Sequence, residues 1–420
     1  MEVKLIARTY ELDEENCPTG SPLIEIDSQL LAGKAAGICY MPDDYLSEGI
    51  NNEEKCLKRA KMTAENGHYS TWEHMSVSLL ITDIPKMLAM MLNNTQYYST
   101  SEKSGRYTKM EGVGKDKEYY DKWLNIFKAL INLQYGDILS DSEIEKKAQE
   151  NARYMLSVFT PTTMIFTCPY GRLMIVFQQL LSFANDAKLT KKGTFYTQLQ
   201  EACKDFVNKA CVALKIDKIS LRENKFRKYP LFLPNNFIEA PVYYIIDTED
   251  IDKEDYFGNT YTVNYWGSLA QLAQVQRHRT LNYSIKLPDK ENIDFYIPKI
   301  LTGRLRDKWY NDLAYLLSVE EIIPQATMVK ITEQGTVENL VLKSFERMCN
   351  HAQLETALQT KEILETYYKN TESDYAKRYL LTFIDSQTGK AVRRCKAHYS
   401  CTSPDTFCIN NIYFNDNKTI

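Results

Sequence analysis

The sequence predicts an α+β fold: two tandem copies of a small antiparallel sheet flanked by helices, followed by a C-terminal hairpin extension. Three observations carry this. Short apolar or alternating runs of strand length recur at Val3 to Ala7, Val77 to Ile81 and Tyr261 to Tyr265. Two of them run straight into helix starts, at Asp83-Ile84-Pro85 and at Gly267-Ser268. The polar stretch after the first helix can be laid on the stretch after the second. Asn94-Thr95-Gln96 then falls on Arg277-His278-Arg279, and Glu102, Ser104 and Arg106 fall on Ile285, Leu287 and Asp289. Each copy is polar and basic where the other is not.

Length and charge bound the possibilities. With 420 residues the chain has ample length for a large core and a prior of two or three domains. A net charge of −4 provides no global basic field for nucleic acid or anionic membrane. No run approaches the roughly 20 apolar residues of a membrane span. Met1-Glu2-Val3-Lys4 does not open a signal peptide, so a cytoplasmic location is expected. The 10 cysteines are scattered, which in a large unsecreted chain reads as reduced, mostly buried thiols.

In chain order, the alternating run Val3, Leu5, Ala7 reads as a strand, and Cys56 to Glu65 as a charged helix stopping near Gly67. Ser70 followed by Glu73 reads as a capping box. Val77 to Ile81 is a strand, and Pro85 opens an apolar helix bearing Met87, Leu88, Met90 and Met91. Residues 109–145 form a charged insertion with a helix around Tyr119 to Leu133, and residues 195–215 are helical. The charged, proline-containing stretch from Ile216 to Pro234 marks the boundary between the halves.

The second half repeats the plan. A strand is expected at Pro241 to Ile246, an acidic loop from Asp247 to Asp255, and a strand around Tyr261 to Tyr265. The expected domains are 1–220, 221–370 and an extension, 371–420. In the extension, Tyr379 to Ile384 and Ala391 to His398 flank Ser386-Gln387-Thr388-Gly389, a hairpin pattern. Cys395, His398, Cys401 and Cys408 could ligate zinc, but their spacing matches no standard finger, so no metal is expected.

The chain is organised around Gly267 to Arg279. Ser268 and Gln271 are spaced as a capping box, and a helix from there places Gln274, Arg277 and His278 on one face. Guanidiniums flanking an imidazole suit a phosphate or an anionic ring; the bland alternative is a solvated helix end, where cations are favoured anyway.

At these residues the sequence resembles the flavin-dependent thymidylate synthases, whose signature is an Arg-His-Arg triplet followed by a Ser-x-Arg-Tyr end in one continuous run. Here the triplet stands only in the second copy, and Glu102-x-Ser104-x-Arg106-Tyr107 only in the first. Gly67-His68 with Glu73-His74 is similar to the family's Gly-His…Glu-His segment. Ala35-Ala36-Gly37-Ile38-Cys39-Tyr40 is similar to its Ala-Arg-x-Cys-Tyr run, with Gly37 for the arginine. Ala152-Arg153-Tyr154-Met155-Leu156 resembles its Ala-Arg-x-x-Leu-Pro, and the run ending His351-Ala352-Gln353 its His-Ala-Gln. The resemblance covers most of residues 1–210 and, more faintly, about 235–360.

The resemblance implies two tandem copies of that family's fold, specialised by complementary motif loss, and an enzyme that methylates dUMP reductively to dTMP. FAD is the implied cofactor, with NADPH and methylenetetrahydrofolate as co-substrates. It implies that Glu102, Ser104, Arg106, Arg153, Gln274, Arg277 and Arg347 bind dUMP or a related pyrimidine nucleotide. It assigns FAD to Arg277, His278, Arg279, His74 and Glu102, and catalysis to Arg347, Ser104 and His74. Since the family is tetrameric, a duplicated chain is expected as a homodimer, with no membrane or nucleic-acid partner. The departures are specific. Pro169, Gly171 and Ile175 in one half, and Thr336, Glu338 and Leu342 in the other, replace the family's FAD-holding Asn, Arg and Asn. Leu180 replaces the uracil-facing arginine, which Arg347 supplies in the second half. A pyrimidine hydroxymethylase and a non-catalytic nucleotide-binding homologue are the alternatives.

Overall fold

A computed structural model describes residues 1–40, 48–66, 68–95, 97–106, 108–216, 229–232, 260–277, 279–288, 292–349 and 352–397. They form two compact units of interleaved segments: Met1–Lys103 with Pro161–Pro230, and Ser104–Thr160 with Leu231–Ile420. The division expected at 220 and 370 follows sequence repeats, whereas compactness follows packing. Residues from the charged insertion share a core with a much later helix: the Trp123 ring meets Trp309 edge-on at 4.9 Å, and Phe127 meets Trp309 at 5.4 Å.

The first unit holds a four-stranded antiparallel sheet in the order Glu2–Arg8, Ser76–Pro85, Pro161–Pro169, Ser99–Glu102. Period-two patterning turns Val77, Leu79 and Ile81 into the core, opposite Met164, Phe166 and Cys168 of the neighbouring strand. Helices Ile24–Tyr40, Glu53–Glu65, Lys86–Leu92, Tyr170–Ala184 and Thr194–Leu214 belong to this unit. The expected capping box at Ser70 and Glu73 does not form. Tyr69–Glu73 is a 3-10 turn whose preceding residue, His68, makes no side-chain cap. A tertiary contact sets that turn instead, with Trp72 Nε1 donating to Thr63 Oγ1 at 3.3 Å.

The second unit holds a three-stranded antiparallel sheet in the order Thr260–Ser268, Met328–Thr336, Asn282–Lys286. In each unit a strand passes directly into a helix twice. Ser76–Pro85 and Pro161–Pro169 lead into Lys86–Leu92 and Tyr170–Ala184 in the first. Thr260–Ser268 and Met328–Thr336 lead into Leu269–Val275 and Val337–Arg347 in the second. Lys115–Tyr135, longer than the expected Tyr119 to Leu133, packs with Gly303–Ser318 in this unit's core.

The tail departs from the hairpin expectation. Ser373 accepts from Ala376 N at 3.2 Å and starts helix Asp374–Leu380, which carries Tyr379 and the buried Leu380 out of the expected strand. Among the described residues pairing shrinks to one antiparallel bridge, Ile384 to Ala391. The turn between them does form: Asp385 Oδ1 accepts from Gln387 N at 3.0 Å and Thr388 N at 2.9 Å, and Gly389 takes φ +66°. Strand 241–246, the acidic loop, His398, Cys401 and Cys408 lie outside the described residues. Among the described residues no helix is long and apolar enough to cross a membrane.

Candidate functional site

The second unit gathers seven of the sequence-derived candidates, beginning with its capped helix. Ser268 Oγ accepts from Gln271 N at 3.0 Å, as a cap should. The return bond from the Gln271 side chain is absent because Glu355 has taken its place. Glu355 accepts from Ser268 N at 2.8 Å, from Ser268 Oγ at 2.7 Å and from the Tyr154 hydroxyl at 2.6 Å. The Gln271 amide folds instead over Gly267, where an added Cβ would meet its Oε1 at 2.0 Å and displace it.

Helix Leu269–Val275 ends before the arginines. Gln276 is its C-cap, and Arg277 and Arg279 stand exposed on the turn beyond it, so Gln274 and Arg277 do not share a helical face. Asn339 Nδ2 holds that turn from the helix Val337–Arg347 by donating to the Thr280 carbonyl at 3.1 Å. His278 itself lies outside the described residues, as do Gln96, Tyr107 and His351.

Gln274, Arg347, Gln353 and Arg153 form one buried web. Arg347 Nη2 donates to the Gln274 carbonyl at 2.9 Å, and Gln353 N donates to Gln274 Oε1 at 3.3 Å. Arg153 Nη2 in turn donates to Gln353 Oε1. Arg106 joins from the neighbouring loop, pairing through Nε with Glu150 Oε1 at 2.9 Å. Ser104 sits at the same loop, its Oγ accepting from Arg106 N at 3.4 Å, and a Cβ on Gly105 would stand 3.9 Å from Arg153 Cδ.

The charges of these groups act on one another. Burial pushes the Arg153 guanidinium down from its ordinary pKa; Tyr154 and Glu150 oppose this, and Arg106 and Arg277 add repulsion. Burial likewise pushes Arg347 down to about 10, with Arg106 and Arg277 again repelling it. Burial alone would raise the Glu150 carboxyl, but Arg106, Lys147 and Arg153 hold it down to about 2. Glu355 is pushed up by its burial, against the hydrogen bonds from Tyr154 and Ser268. Three buried donors of this web, Arg153 Nε, Arg347 Nε and Gln353 Nε2, have no acceptor among the described residues. A positively charged cluster with unmet buried donors is suited to an oxyanion.

The first unit holds the rest. The Glu102 side chain is 2% exposed and accepts from Lys86 Nζ at 2.5 Å and from Asn93 Nδ2 at 3.3 Å. His74 is exposed at the end of its 3-10 turn. Thr95, aligned with His278, is buried; its hydroxyl donates to the Leu92 carbonyl and its own carbonyl accepts from Arg172.

The chain's own residues fit FAD in one place and not in two others. Arg277 and Arg279, both exposed beyond the end of the helix, suit a pyrophosphate. The helix starts do not. Gly171 offers no side-chain donor, and an added Cβ would press on Trp72 Cβ at 3.0 Å. Thr336 spends its hydroxyl capping Asn339 N at 3.4 Å, Glu338 is an acid bonded by Tyr375, and Leu342 is apolar and exposed.

Sequence reasoning missed Glu150 and Glu355 and gave Gln353 no role. Glu150 carried a usable signal, three residues ahead of Arg153 at helical spacing. Glu355 carried none, since its partners lie 87 and 201 residues away.

Residues 23–188 match the model of a family described as thymidylate synthase complementing protein. A flavin-dependent thymidylate synthase from Clostridium tetani (strain Massachusetts / E88) is 27% identical over 172 residues, covering 35% of this chain and 68% of that protein. Among solved structures, thymidylate synthase X from Helicobacter pylori with FAD and dUMP aligns at 17% identity and TM-score 0.30, covering 51% of this chain and 93% of that one. A UMP/dUMP methylase, PolB from Streptomyces cacaoi bound with 5-Br dUMP, aligns at 18% identity and TM-score 0.30, covering 50% and 88%. Ser104, Arg106 and Arg153 fall inside the matched range, while Gln274, Arg277, Arg347 and Gln353 lie outside it.

Proposed function

We propose that this chain, a relative of the flavin-dependent thymidylate synthases through residues 23–188, binds a pyrimidine nucleoside monophosphate in its second unit and methylates it reductively. The substrate is dUMP and the product dTMP. One observation carries the reading. Arg153 from the matched range and Arg347 from beyond it are linked by hydrogen bonds through Gln353 and Gln274 within a single compact unit.

Each residue then has a task its surroundings permit. Arg106, kept in place by Glu150, and Arg153 take the phosphate together with the Ser104 hydroxyl. Arg347, fixed by the Gln274 carbonyl, faces the pyrimidine. Its positive charge draws electron density toward O4 and leaves C5 able to take up a one-carbon unit. Arg277 and Arg279 hold a flavin by its phosphates. FAD, when bound, supplies hydride chemistry, with methylenetetrahydrofolate and NADPH as co-substrates. The repeated strand-to-helix plan supports a tandem duplication, and with it a homodimer of this chain.

The apolar and acidic helix starts favour a second reading, a nucleotide-binding protein that works without flavin. The absorption spectrum of the purified protein separates the two, because flavin bands that fade on Arg279→Ala but survive Thr95→Ala hold only for the first. Titration with dUMP tests what both share. Binding at one site per chain is expected, and no binding would sink both.

A further inference from the structure

We propose that Gln353 is a phosphate-binding residue of this site, its side-chain Nε2 donating to a phosphate oxygen beside Arg153. This rests on the reading of the second unit as a nucleotide site. Gln353 is 3% exposed, and its place is fixed by its backbone N–H, which donates to Gln274 Oε1 at 3.3 Å. Its side-chain Oε1 accepts from Arg153 Nη2. That contact decides which way the amide points. Turned by half a rotation, the amide would set its NH2 against the guanidinium, donor against donor, where neither could be satisfied. Nε2 is therefore directed away from Arg153, and it is buried without a partner among the described residues.

A buried amide donor with nothing to bond is costly, and a native fold does not keep one without reason. Arg153 Nε and Arg347 Nε are in the same state, so the unmet atoms of this web are all donors. Their complement is a group that only accepts. Phosphate is favoured over a ring carbonyl by charge. Arg106, Arg153, Arg277, Arg347 and Lys147 are set against the carboxylates of Glu150, Glu346 and Glu355, an excess that a dianion matches and a neutral carbonyl does not.

The test is Gln353→Glu, which keeps an oxygen for Arg153 and the backbone bond to Gln274 but replaces the donor with a negative charge. Calorimetry with dUMP and with deoxyuridine, its phosphate-free nucleoside, gives the readout, with thermal melting to confirm the fold. The dUMP affinity should fall at least about tenfold while the weaker deoxyuridine affinity holds. Unchanged dUMP affinity overturns the proposal, and so does an equal loss for both ligands, which would place Gln353 on the sugar or base. If the glutamate variant does not fold, Gln353→Met removes the donor without adding charge, and a several-fold loss specific to dUMP is then required. Failure of the unaltered protein to bind dUMP is a different result, one that removes the nucleotide reading itself.

Discussion

Arg347 Nη2 lies 2.9 Å from the carbonyl oxygen of Gln274, so a guanidinium at the end of one helix is tied to the last turn of another. The bond orients the remaining donors of a side chain that is 6% exposed and still charged at neutral pH, its pKa being pushed down only to about 10. Arg347→Ala should weaken dUMP binding by about 2–5 kcal/mol, the usual loss when one partner of a buried charged contact is removed. Arg347→Lys should recover only part of this, since an ammonium cannot reach the Gln274 carbonyl and a ligand together. Calorimetric affinities within a factor of about three of the unaltered protein would remove Arg347 from the site.

One turn earlier on the same helix, Lys343 is sealed in the core with Glu333. Its Nζ donates to both Glu333 oxygens, at 2.8 and 2.7 Å, and both side chains are 0% exposed. The Tyr261 and Tyr265 hydroxyls complete the carboxylate at 2.6 and 3.1 Å. Lys343→Met should strand that carboxylate and cost about 3–5 kcal/mol of unfolding free energy. Lys343→Met combined with Glu333→Gln should return much of it, because the uncompensated charge is gone. Denaturant unfolding of the two variants beside the unaltered protein decides the matter; a single mutant as stable as the unaltered protein would mean that the pair contributes no more than its isosteres.

Glu150 makes a pH prediction whose direction is fixed. Its carboxyl is held down to about 2, below the ordinary 4.5, by Arg106, Lys147 and Arg153 against the effect of burial. The folded state therefore binds this proton less readily than the unfolded state. The stabilisation is complete above about pH 4.5 and is lost as pH falls toward 2. Its size is of order 3 kcal/mol. Glu355, raised by burial, runs the other way through the start of the same window, so the informative quantity is the difference between proteins. Glu150→Gln should be less stable at neutral pH and should flatten the loss of stability between about pH 5 and 2. Parallel stability curves for the two proteins would refute the assignment.

What could be read in advance followed from local chemistry. The strand at Val77 to Ile81, the helix opened by Pro85 and the Ser268 cap appear where alternation, proline and a short hydroxyl side chain put them. What could not be read is set by distant parts of the chain. The Ser70 cap yields to a bond between Trp72 and Thr63, and the return bond of the Ser268 cap yields to Glu355. The charged helix Lys115–Tyr135 gave no sign in sequence of the Trp309 it packs against. The same limit applies to the site. Arginine positions were legible as motifs, but the carboxylate that holds Arg106 and the amide that turns on Arg153 are properties of packing.

The last prediction concerns how many chains a site needs. Arg106 and Arg277 lie 171 positions apart in sequence yet belong to one compact unit, and both repel the same two buried guanidiniums, Arg153 and Arg347. This arrangement predicts a site that closes within a single chain. Arg106→Ala and Arg277→Ala should each weaken dUMP binding, and one dUMP should bind per chain of the unaltered protein. Changes at Asp289, which aligns with Arg106 when the two stretches are laid together, should leave the affinity where it was. Mixing the two arginine variants is then decisive. If partner chains shared their arginines, mixed dimers would contain one intact site and recover binding. With both arginines drawn from the same chain, every site in the mixture lacks one of them. The expected result is no recovery at any mixing ratio, with both variants folded and exchange between chains verified by tagging one of them; recovered binding would place the site between chains.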